Sequence, residues 1–109
     1  MIPDPWPPFE FEPSEAIRER LEALLNLAAA RGVLGEAADA LTEIIRLLVH
    51  EPRRWGDPMR GYRHALLTQY RGVHWNVRCQ YAVHDRVPIV FLTEITPLPG
   101  CPLFDVDEA

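Results

Sequence analysis

Val73-His74-Trp75-Asn76-Val77-Arg78-Cys79-Gln80-Tyr81-Ala82-Val83-His84 is the stretch whose reading decides the fold. Val73, Trp75, Val77, Cys79, Tyr81 and Val83 alternate with His74, Asn76, Arg78, Gln80, Ala82 and His84. Side chains along a β-strand point to opposite faces in turn, so a period of two predicts one long strand with an apolar and a polar face. On that reading Trp75 and Tyr81 face the core, and His74, Asn76, Arg78 and Gln80 share the outer face.

Downstream, His84-Asp85-Arg86 reads as a turn, and Val87–Ile95 (VPIVFLTEI) supplies a strand that is apolar on both faces and therefore central. Upstream, Ala65–Tyr70 is the expected preceding strand, turning near Arg71-Gly72. These three strands make an antiparallel meander. Residues 97–109 hold three prolines and read as an irregular acidic tail. The segment Glu51–Gly61, rich in proline and glycine, reads as an irregular connector.

Ahead of the meander the period changes to 3.6. Ser14 precedes Glu15 in the manner of an N-cap with an acid in the first turn. Ile17, Leu21, Leu24, Leu25 and Ala28 then form one stripe that ends at Arg31-Gly32. A second stripe, Ala37, Leu41, Ile44, Ile45 and Leu48, runs to about His50 and stops before Pro52. So short a connection predicts an antiparallel helix hairpin whose apolar stripes need a further layer to cover them. The first 13 residues form a proline-rich arm in which Phe9-Glu10-Phe11-Glu12 alternates like a short edge strand. Trp6 and Trp55 sit in proline- and glycine-rich stretches and are expected to lid the edges of the core.

The fold class expected is α+β: a short N-terminal strand, then an antiparallel helix hairpin packed on a C-terminal antiparallel β-meander. At 109 residues the chain fits a single domain, 1–109. No basic stretch leads into an apolar one, and no apolar run approaches the ~18 residues that span a bilayer, so a cytoplasmic protein with no membrane partner is expected. Cys79 and Cys101 read as free thiols. The sequence holds no metal-ligand spacing, phosphate loop or nucleophile elbow, so neither a metal nor another cofactor is expected.

Charge is segregated within the net −5. Residues 1–49 carry four Arg against nine acids, residues 50–86 seven Arg against three acids, and residues 87–109 four acids with no base. The middle segment also holds all four histidines. The polar strand face is thus either the solvated side of a sheet or a basic surface for a phosphodiester backbone or an acidic partner, with Arg71, Arg60 and Arg63 assisting.

Several motifs in this order resemble the RelE/ParE superfamily of toxin–antitoxin toxins. Val77-Arg78-Cys79-Gln80-Tyr81-Ala82-Val83-His84-Asp85 looks like that family's arginine-bearing strand leading into a turn, followed by the apolar strand Ile89–Ile95. Leu47-Leu48-Val49-His50-Glu51-Pro52 and Asp57-Pro58-Met59-Arg60-Gly61 resemble its helix end and connector. The resemblance implies one of two activities, ribosome-dependent mRNA cleavage or inhibition of DNA gyrase, with an antitoxin protein as the controlling partner. For a nuclease (an mRNA interferase), it implies that Arg78 stabilises charge on the scissile phosphate. His74, placed by parity on the same face, would serve as general acid or base, and Arg71, Arg60 and Arg63 would bind substrate. RelE-like nucleases also carry a catalytic Arg, His or Tyr after the last strand, whereas Thr96–Ala109 contains none, nor any Lys. The alternative is therefore a non-catalytic binding module of the same fold, with a degenerate active site, that grips an antitoxin or gyrase.

Overall fold

Ser14 sets the register of the helical half. In a computed structural model, which describes residues 8–64 and 66–101 apart from the side chains of 60–64, its hydroxyl accepts a hydrogen bond from Ile17 N–H at 3.2 Å and opens α1 (Glu15–Ala30). Gly32, at φ +77°, follows the helix and supplies the left-handed residue that releases it. Helix α2 (Leu34–His50) then packs on α1, and Ile17, Leu24, Ala28, Ala37, Leu41, Ile44 and Leu48 are buried between the helices and the sheet. Both stripes face inward as their spacing predicts.

A short helix α3 (Pro52–Trp55) and five strands complete the chain: β1 (Glu10–Pro13), β2 (Asp57–His64), β3 (Leu67–His74), β4 (Val77–His84) and β5 (Ile89–Pro97). The sheet order is β1-β5-β4-β3-β2. Pairing is antiparallel from β2 through β5, while β1 lies parallel to β5 at one edge. The result is an α+β fold with a mixed sheet. β5 is an interior strand between β1 and β4, as its apolar composition predicts, and Phe9 and Phe11 turn toward the core beside it.

The long alternating stretch is two strands, not one. Trp75 and Asn76, at φ +56° and +58°, make a two-residue turn that pairs His74 with Val77 and Val73 with Arg78. Two left-handed residues in succession are the backbone that a tight β-hairpin requires. Alternation survives the turn, but the faces invert. On β4 the apolar residues Val77, Cys79, Tyr81 and Val83 are buried, as expected, whereas on β3 the inward positions are Tyr70 and Gly72. Trp75, expected in the core, is 58% exposed at the hairpin tip.

Three further expectations change with it. β3 runs straight through Arg71-Gly72, where a turn was expected, because Gly72 serves packing: a Cβ there would meet the Trp55 indole at 2.8 Å. The irregular connector instead forms α3 and the start of β2, with Pro58 on an edge strand where its missing N–H is tolerated. The antiparallel part of the sheet accordingly has four strands, not three. The arm at residues 1–7, with Trp6, and the tail at 102–109 lie outside the described residues.

Candidate binding face of the sheet

The helices and α3 cover one face of the sheet. In antiparallel strands directly paired residues share a face, so the register alone defines the other. Arg78 stands between Val73 on β3 and Thr96 on β5; the next row holds Arg71, Gln80 and Glu94. Arg71 also opposes Asp57 on β2. Among the predicted site residues, Arg78 and Arg71 therefore share this open face.

Arg78 is not a bare cation. Its Nη2 donates to Glu94 Oε2 at 3.2 Å, and the Thr96 hydroxyl donates to the same carboxylate oxygen at 3.0 Å. The two charged side chains are 33% and 37% exposed, so the pair is partly shielded from water. Nε of Arg78 is buried and has no hydrogen-bond partner. Glu94 was missed as a site residue in the sequence; its only signal there is that it is the one acid inside an otherwise apolar strand.

His74 lies on the opposite face from Arg78, which corrects the expectation that the two act from one side. It pairs with Val77, whose side chain is buried beneath the helices, and its Nε2 is itself buried without a partner. Its electrostatic neighbour is Glu43 on α2. The carboxylate of Glu43 is held below its usual range mainly by its hydrogen bonds to Arg46, with a smaller contribution from His74. The correction has a simple cause, the inversion of faces at the Trp75-Asn76 turn.

Arg60 and Arg63 belong to β2, Arg63 paired with Thr68, but their side chains lie outside the described residues. Arg71 is exposed and enters no ion pair among the described residues. On β1, Glu10 and Glu12 sit opposite Ile89 and Phe91 on this same face, and hydrogen bonding with Glu12 raises the proton affinity of Glu10. The face is thus of mixed charge, with Asp57 and Glu94 beside Arg71 and Arg78 and with Glu10 and Glu12 at its far β1 end. Of the basic surface suggested by the charge segregation, the described side chains supply Arg78, which is paired with Glu94, and Arg71.

A shallow groove at the β1–β5 end is lined by Glu12, Pro13, Ser14, Phe91, Leu92 and Thr93, and draws in neither arginine. His84 is spent on local structure: its Nδ1 accepts from the N–H groups of Arg86 and Val87 at 3.0 and 3.2 Å and shapes the turn. Cys79 and Cys101 are free and buried. Burial, assisted by the Glu94 charge, pushes the Cys79 thiol up to about 12, so it is not a nucleophile at neutral pH. Among the described residues no three His, Cys, Asp or Glu side chains gather as metal ligands. No helix among them is long and apolar enough to cross a membrane.

Compared with protein-family models and with curated proteins, the chain matches none.

Proposed function

We propose that this chain is a RelE/ParE-like member of a toxin–antitoxin pair that works by binding a protein partner through its open sheet face, and not by cutting RNA. The order strand, helix, helix, meander supports the family reading, together with the arginine-bearing motif around Arg78. The observation that carries the choice against cleavage is the pairing of Arg78 with Glu94 while His74 lies across the sheet. RNA cleavage needs an acid or base within hydrogen-bond reach of the same phosphate that the guanidinium stabilises. A carboxylate already on that guanidinium opposes the approach of a phosphate.

The partner class is an antitoxin protein, or gyrase as its target, in the cytoplasm. Co-expression with the product of the neighbouring gene, followed by affinity purification, is expected to give a complex of fixed stoichiometry. The purified chain is expected to leave ribosome-bound message intact. Message cut by the wild-type protein and spared by Arg78→Ala would reverse the choice in favour of the mRNA interferase. That second reading draws on Arg71 and the unpartnered Nε of Arg78, which share the open face.

A further inference from the structure

Trp75 is the residue whose identity the fold least explains. It occupies the first position of the two-residue turn at φ +56°, where glycine, asparagine or aspartate is the low-strain choice and a bulky side chain is an outlier. Core packing does not demand an indole there, since the residue is more than half exposed. The ring contacts His74 edge-on at 6.3 Å between centroids. A strained backbone that persists at an exposed position points to a role for the side chain it presents.

The tip is also held still. Leu98 N–H donates to the Asn76 carbonyl at 2.8 Å, and the Cys101 thiol donates to the Trp75 carbonyl at 3.3 Å. Cys101 N–H in turn donates to the Leu98 carbonyl at 3.1 Å, so the turn after β5 clamps both residues of the hairpin loop. An aromatic side chain on a fixed backbone loses little freedom on binding, which is the property of an interface anchor.

We infer that Trp75 is the anchor by which this protein docks into an apolar pocket on a protein partner. The inference rests on the binding-module reading above and names the element that makes first claim on the partner. Beside the tip, charge favours a protein over a nucleic acid or an anionic lipid surface. On the open face the guanidinium in the row nearest the tip, Arg78, is held by Glu94, while Arg71, which enters no ion pair among the described residues, stands a row further from the tip. The guanidinium on the helix side, Arg46, is held by Glu43, the carboxylate that feels His74, and by Glu51. Neither Arg78 nor Arg46 is left to meet a phosphate, whereas an uncharged pocket asks only for the indole and an acceptor for its N–H.

The test uses the full chain co-purified with the neighbouring gene product, comparing wild type with Trp75→Asn by calorimetric titration. Asparagine suits the left-handed turn, so this variant is expected to unfold a few degrees higher than wild type, yet to bind at least ~30-fold more weakly. With 5-fluorotryptophan incorporated, the resonance lost in Trp75→Asn is expected to shift on complex formation in the wild type. Equal affinities for wild type and variant overturn the inference and leave the binding-module reading intact. A neighbouring product that does not bind the wild type overturns both. Tighter binding of a uridine decamer than of the protein would assign the tip to base stacking instead and also overturn it.

Discussion

The Trp55 indole lies flat against the backbone of Gly72, so close that a Cβ on residue 72 would approach its Cε2 to 2.8 Å and its Cδ2 to 2.9 Å. The ring has no room to withdraw, because it stacks on Tyr81 at 5.5 Å, and Tyr81 stacks on Tyr70 at 5.4 Å. Gly72→Ala must therefore displace a three-ring stack. We expect a loss of about 1–3 kcal/mol in urea unfolding, the usual range for overpacking. An unchanged midpoint would show that the stack yields freely.

Tyr81 ties α3 to the sheet through its hydroxyl, which donates to the Pro52 carbonyl at 2.6 Å and accepts from Gly56 N–H at 2.9 Å. Gly56 has no alternative here, since a Cβ would lie 2.7 Å from that oxygen. Tyr81→Phe keeps the ring stack and leaves two backbone groups without their partner. Its expected cost is about 1–3 kcal/mol, the desolvation penalty of buried polar groups left unpaired. Amide exchange at Gly56 should accelerate in the variant, and protection equal to wild type would contradict the assignment.

The buried thiol gives a pH dependence of definite sign. Folded Cys79 holds its proton to about 12, above the ordinary thiol value of 9.0, and burial also raises Tyr81. Between these values the unfolded chain binds fewer protons than the folded one, so stability falls as pH rises. Urea midpoints should decline from roughly pH 9 upward, and Cys79→Ala should flatten the early part of that decline. The native thiols should resist iodoacetamide at pH 8 and react fully in urea; rapid native labelling would refute the burial.

Arg78 and Glu94 form a partly exposed pair, and such pairs couple weakly. A double-mutant cycle of Arg78→Ala and Glu94→Gln should return less than about 1 kcal/mol of interaction, shrinking as salt is added. Functionally the same Glu94→Gln variant removes the carboxylate that occupies the guanidinium. If the chain lacks the rest of a nuclease, this variant also leaves ribosome-bound message intact. Cleavage that emerges only in Glu94→Gln would mean that the pair masks a working site.

The helical half was legible because its signals are local: a capping serine, two stripes at 3.6 spacing and a glycine stop. The sheet was legible in class but not in register. A two-residue hairpin loop leaves the alternation of Val73 to His84 unbroken, so period alone cannot reveal the reversal, and Trp75-Asn76 lacks the glycine that usually marks it. The faces assigned on the β3 side of the turn depended on that reversal, which is why His74 was placed on the same face as Arg78. Gly72 was read as a turn because its reason for being glycine, the Trp55 ring, is remote in sequence. The Glu94 partner of Arg78 was hidden for the same reason.

The parallel pairing of Glu10–Pro13 with Ile89–Leu92 has a consequence for how the molecule comes into being. A nascent chain can form α1, α2 and the hairpins as they emerge, but the first strand has no neighbour until the last has been synthesised. Closing that long loop is entropically slow, and it should be the final event of assembly. Until then Phe9 and Phe11 have only the helical side of their cover, so the newborn polypeptide is most open to chaperones and proteases along this strand.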